Sequence, residues 1–240
     1  MISFSMLLIN NNRSKAYLQN LIKNNFFPER VIVLNDSGAN LPEQTENDTL
    51  ISKNTKQKFI RELKDLDIGF DEKEHILFTL NKYNIDYVIL DTLDINEQLV
   101  VSEVNAIPTE YILYSGPGGS ILRKDILMQG KKFIHVHPGW LPEYRGSTTI
   151  YYSMLVSSEV GASVIIFEEG IDEGPILHRN KYKLSEKNID FDYVLDPLVR
   201  AKTLINFFKE YKENVTINNS ENAHTFYIVH PFIKHTSIIK

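Results

Sequence analysis

The sequence predicts an α/β fold with a mostly parallel central sheet and flanking helices, and three observations carry that expectation. Short apolar runs rich in β-forming residues recur along the chain. The stretches between most of them place apolar residues at helical spacing, and strands alternating with helices build parallel crossover units. The composition, 42% hydrophobic and 24% charged over 240 residues, is that of an ordinary globular chain long enough to bury one sizeable core.

In chain order, the runs at 4–9, 31–34, 87–90, 111–113 and 133–136 read as strands. The first starts close to Met1, without the basic start and small-residue cleavage site of a signal peptide, so it reads as structure. Residues 14–24, 72–83 and 96–104 read as crossover helices; in the second, Ile76, Leu77, Leu80 and Tyr83 share one face. Residues 35–58 are polar and punctuated by turn formers, which predicts a long surface excursion. Past residue 160, 162–168 and 175–183 read as two strands joined by a glycine-bounded loop. Residues 191–211 then have helical spacing, with Leu195, Leu198, Val199, Leu204, Ile205 and Phe208 on one side and Pro197 near the start, where proline is tolerated. The aromatic and histidine-rich stretch 223–235 is expected to be a last strand packed on the core, with a cover over the site or a homodimer contact as its other uses. The organisation expected is one α/β domain over 1–212 and a C-terminal extension, 213–240, packing on it.

Composition also excludes. With no cysteine, disulfides, thiolate metal sites and a cysteine nucleophile are out, and a reducing cytoplasm is the expected location. The longest apolar runs, such as 164–167, are strand-sized, so no membrane span is expected. A net charge of −5 argues against nucleic acid as a partner, since a phosphate backbone selects a basic face.

The densest chemical signal is HVHPGWLPEYRG, residues 135–146. It follows an apolar run, so His135 and His137 leave the end of a strand on the same side. In open α/β sheets that end is where ligands bind. A histidine taken alone is more often structural, and Trp140, Tyr144 and Arg145 could be a core plug and a surface turn; the paired histidines before Pro-Gly shift the balance toward function. The second signal is EEGIDEGPIL, residues 168–177. Four carboxylates in a short loop usually make a solvated turn, but Asp172 is bracketed by glycines and Ile171 is expected to anchor the loop inward. A carboxylate so held can orient a histidine or accept a proton. The third, SGPGGSILRKDIL from 115 to 127, is a glycine-rich strand-to-helix turn, weak alone and unlike the spaced dinucleotide or Walker patterns.

Together the three resemble the formyltransferase family that uses 10-formyltetrahydrofolate. That family carries Asn-x-His-Pro-Ser-Leu-Leu-Pro-x-Tyr-Arg-Gly and, further along, a loop like Asp-x-Gly-Ile-Asp-x-Gly-Pro-Ile. The match covers roughly residues 110–210. The resemblance implies a Rossmann-like formyltransferase fold and acyl transfer of a formyl group from the folate donor to an amine, with no metal. His137 then donates to the developing oxyanion, and Asp172 orients the site and takes the amine proton. The pterin lies on Gly118, Gly119, Ser120, Ile121 and Leu122 together with Gly170 and Ile171, and the acceptor meets Trp140, Tyr144 and Arg145, above a helix opening at 146–152. One position departs: the family's asparagine, a second oxyanion donor, is His135 here. Two neighbouring imidazoles oppose each other's protonation, so His135 is expected to act as a neutral donor.

The acceptor follows by subtraction. A ribosyl-phosphate substrate calls for a Gly/Ser-rich loop after the first strand, where this chain has Asn10-Asn11-Asn12-Arg13. Initiator-tRNA formylation calls for an added C-terminal barrel that helps bind nucleic acid. What remains is a small-molecule amine, an amino sugar carried on a nucleotide first. Two other readings stay open: a metal-dependent hydrolase using His135 and His137, and a non-catalytic relative that binds folate or a nucleotide.

Overall fold

The structure, a computed structural model, describes residues 2–36, 60–185, 189–211, 216–218 and 223–239. The chain runs β1 (Phe4–Leu8), α1 (Asn12–Lys23), β2 (Val31–Leu34), β3 (Ile60–Leu63), β4 (Ile68–Asp71), α2 (Ile76–Lys82), β5 (Tyr87–Leu90), α3 (Gln98–Ala106), β6 (Tyr111–Ser115), α4 (Lys124–Leu127), β7 (Lys132–His137), β8 (Tyr144–Gly146), α5 (Thr149–Ser157), β9 (Glu159–Ile166), β10 (Ile176–Lys183), α6 (Asp196–Glu210), β11 (His224–Phe226) and α7 (Pro231–Ile239). Seven strands form the main sheet in the order β10-β9-β7-β6-β1-β2-β5. The five from β7 to β5 are parallel, and β9 and β10 extend the sheet antiparallel.

Alternation along the strands sorts the core into two layers. Met6, Leu8, Val31, Val33, Leu113, Ile134 and Val136 join the cluster that holds Tyr17, Leu18 and Leu21 of α1 and Leu198, Leu204 and Ile205 of α6. Their neighbours in sequence, Leu7, Ile32, Ile112, Tyr114 and Phe133, join Val100, Val101 and Val104 of α3 and Ile126 of α4. Strands apolar on both faces are what a sheet covered by helices on both sides requires. Helix α1 begins where Asn11 accepts a hydrogen bond from the Ser14 amide at 2.9 Å, a cap worth about 1 kcal/mol. A π-helical turn at Phe191–Leu195, capped by Asp190, leads into α6, and Pro197 lies in the first turn of that helix.

The expected strands and crossover helices are present, with ends shifted by a few residues. The β3–β4 hairpin was not expected, and the polar excursion lies outside the described residues from 37 to 59. The tail differs more. Among its described residues, only His224–Phe226 is strand, pairing parallel with β8. The next segment is helix α7, because Pro231 occupies the first helical position, where its missing N–H costs nothing, and His230 Nδ1 accepts from the Phe232 amide at 3.2 Å. For the site, what matters is that β1, β6 and β7 end at one edge, and that strand order reverses between β1 and β6. That reversal opens the crevice in which α/β sheets hold ligands.

Candidate active site

Period two along β7 puts Phe133, His135 and His137 on one face, and His137 ends the strand. The loop that follows is pinned: Ser163 Oγ donates to the Gly139 carbonyl at 2.7 Å and accepts from the Leu141 amide at 3.0 Å, and Thr149 Oγ1 donates to the Pro138 carbonyl at 2.6 Å. His137, 2% exposed, is gripped from both sides. Its Nε2 donates to the Tyr144 carbonyl at 2.7 Å, and its Nδ1 lies 3.2 Å from Asp172 Oδ1. Position 139 admits only glycine without displacing this histidine, since a Cβ there would lie 2.7 Å from both His137 Nε2 and the Tyr144 carbonyl oxygen.

Asp172 sits in the β9–β10 loop with φ of 53°, a left-handed conformation that a short polar residue tolerates. Its Oδ2 accepts from the Gly146 amide at 2.9 Å, and its carbonyl accepts from Asn218 Nδ2 at 2.8 Å. Burial works to raise its pKa. The charge of His137, its hydrogen bond and the Gly146 amide outweigh burial and hold the carboxyl well below the usual carboxylate range. Ile171 does not anchor this loop: it is 67% exposed, and the polar bonds to Asp172 do that work instead. Arg145 also turns inward. It is buried, with Nη2 donating to the Asn218 carbonyl at 3.2 Å and to its Oδ1 at 3.0 Å, and Nη1 3.5 Å from Glu173, so it braces the loop rather than facing solvent.

His135 stacks on Phe167, ring centroids 4.6 Å apart and 16° from parallel, with Tyr114 at 6.4 Å. Its Nδ1 is buried without a hydrogen-bond partner. Burial first, then the charges of Arg200, Arg13 and His137, push its pKa well below the ordinary histidine value against the pull of Asp172, so the ring is neutral. Arg200 stands close by, donating to the Val136 carbonyl at 2.9 Å and paired with Asp196.

The other expected residues divide. Gly118, Gly119 and Ile121 are exposed, Ser120 is half-buried and Leu122 is buried. Lys124, just past that turn, lies 3.6 Å from Glu169, so the turn and the loop holding Gly170 and Ile171 face each other across the edge of the sheet. Trp140 lies against β10, with the Arg179 guanidinium 4.1 Å and the Lys181 ammonium 4.7 Å from its ring. Tyr144 stacks on Phe226 at 5.4 Å. The residues brought together are His135, His137 and Asp172, each with one side-chain N or O within 4.8 Å of the others. The sequence reading missed Asn218, which also donates to the Gly174 carbonyl at 3.0 Å, and the aromatic walls Tyr114 and Phe167. Strand alternation could have placed the two aromatics; Asn218 carries no local signal.

A model of the formyl transferase family matches residues 67–190, just over half of the chain, and takes in His135, His137 and Asp172. The chain belongs to the formyl transferase family. Among curated proteins, methionyl-tRNA formyltransferase of Wolbachia pipientis subsp. Culex pipiens is 34% identical over 108 residues, 43% of this chain and 36% of that one. The chain spans only about a third to a half of the curated relatives it matches. Among solved structures, an N-formyltransferase from Helicobacter canadensis in complex with folinic acid and dTDP-3-aminofucose superposes with a TM-score of 0.55 at 16% identity, covering 99% of this chain and 79% of that one. A phosphoribosylglycinamide formyltransferase from Anaplasma phagocytophilum gives 0.55 at 11% identity, covering 95% and 99%. These family relatives place the fold as Rossmann-like, with acceptors that differ by name.

Proposed function

We propose that this formyl transferase family member moves a formyl group from 10-formyltetrahydrofolate to the primary amine of a small molecule, an amino sugar carried on a nucleotide before others. The observation that carries the reading is the buried His137–Asp172 pair at the end of β7, 3.2 Å apart beside a neutral His135. In the proposed reaction the amine attacks the formyl carbon and the carbonyl electron pair moves onto oxygen. Imidazole N–H groups of His135 and His137 stabilise that oxygen, as preorganised donors do. Asp172, ionised and fixed by Gly146, takes the amine proton directly or through water. Collapse of the tetrahedral carbon breaks its bond to the folate N10, which leaves with the proton that Asp172 took from the amine. For His137 to reach the oxyanion, its Nε2 must exchange the Tyr144 carbonyl for substrate.

Exposed Ile121 and Ile171, on the two facing loops, supply the apolar surfaces that a planar pterin would cover. Two observations support the acceptor class: the Helicobacter canadensis relative is in complex with dTDP-3-aminofucose, and the net charge of −5 speaks against tRNA. The reading is tested by release of tetrahydrofolate from the donor against nucleotide-linked amino sugars, glycinamide ribonucleotide and methionyl-tRNA in parallel. Acceptor-dependent release is expected with the first group. Release with one of the other two alone would move the chain to that branch of the family.

A further inference from the structure

We propose that His135, His137 and Asp172 also form a binding site for a divalent first-row transition metal ion, zinc being the probe of choice. Two imidazoles and one carboxylate are a donor set that suits such ions and leaves further positions open to water. Bonds of about 2.0–2.2 Å to nitrogen and oxygen put two donors of one ion roughly 3–3.5 Å apart. His137 Nδ1 and Asp172 Oδ1 already stand at 3.2 Å. One ligand atom from each of the three residues lies within 4.8 Å of the others, so the third donor closes the set by moving on the order of 1–2 Å.

The surroundings resemble those of a ligand set. His137 donates its other ring nitrogen to a backbone carbonyl, that of Tyr144, which is the outer bond that fixes a metal-bound imidazole. His135 has a buried Nδ1 with no partner, so a small turn of the ring breaks no hydrogen bond at that atom. Asp172 is held through Oδ2 and its own carbonyl, which leaves Oδ1 facing the histidines. The nearby charges of Arg13 and Arg200 oppose any cation, but Arg200 is neutralised by two bonds of 2.9 Å to Asp196. A bound ion would occupy the atoms that formyl transfer uses to handle its proton, so occupancy and catalysis exclude each other. That consequence rests on the function proposed above, whereas binding does not, and binding is what the test reads.

The full chain, stripped with chelator, is titrated with zinc chloride by calorimetry and with cobalt chloride by visible absorption. One zinc per chain is expected, with the intense cobalt bands of a four- or five-coordinate site. His135→Asn, shown folded by circular dichroism, is expected to weaken zinc binding by more than the roughly 10- to 100-fold that loss of an outer hydrogen-bond partner costs. His230→Asn, at an exposed histidine, leaves it unchanged. No saturable zinc binding by folded wild type, a weak octahedral cobalt spectrum, or equal affinity in wild type and His135→Asn would each overturn the proposal.

Discussion

At the scale of single residues, the site depends on which atoms have room and which have charge. Gly139→Ala drives a methyl group into His137 Nε2 and the Tyr144 carbonyl. The misplacement costs about 1–3 kcal/mol of stability and a larger share of activity, checked by urea denaturation and tetrahydrofolate release on the same sample. Asp172→Asn removes the proposed proton acceptor and the partner of His137, and kcat should fall about 10²- to 10⁴-fold; an activity within tenfold of wild type would remove Asp172 from the chemistry. His135 makes a prediction about pH. Its folded pKa is lowered below the ordinary 6.5, so as pH falls through that value the unfolded chain takes up a proton that the folded chain refuses. Stability therefore drops on account of this residue, by at most about 1.4 kcal/mol per pH unit. His135→Asn deletes that proton, and its stability should decline less steeply as pH falls below about 6.5. Parallel curves would mean that His135 is not held neutral.

At the scale of elements, the β9–β10 loop is braced by a segment distant in sequence. Asn218 bonds the carbonyls of Asp172 and Gly174 and receives Arg145, so Asn218→Ala leaves several buried groups without partners, at about 1–3 kcal/mol. The expected result is a lower melting temperature together with reduced activity, because Asp172 loses its support; a variant equal to wild type in both would show the brace to be incidental. Gly146 links the same loop to the tail. With φ of 93° and a would-be Cβ 2.1 Å from the Phe226 carbonyl oxygen, Gly146→Ala should separate β8 from β11 and loosen the amide that binds Asp172. None of this bracing could be read along the chain. The strands were legible because β-branched runs have a local signature, and His135, His137 and Asp172 were legible because strand ends and glycine-bounded loops say where side chains go. The inward anchor expected of Ile171 was not legible: the loop is held instead by polar bonds from Asn218 and Arg145, and Asn218 is distant in sequence. The β3–β4 hairpin, mixed in charge, and α7, rich in β-formers, show tertiary pairing and a first-turn proline overriding local preference.

At the scale of the molecule, the parallel sheet gathers residues from β1 to β10 at one edge, and its antiparallel extension carries Asp172 back over the end of β7. On that geometry the proposed folate site lies between the turn after β6 and the β9–β10 loop. Calorimetric titration of the folded protein with 5-formyltetrahydrofolate, a formyl isomer that keeps the pterin and lacks the transferable N10 group, tests for that site. Saturable binding with one site per chain, weakened when Ile171 is replaced by a charged residue, is the predicted result. Folded protein that takes up none of this ligand would contradict the donor assignment and, with it, the proposed reaction.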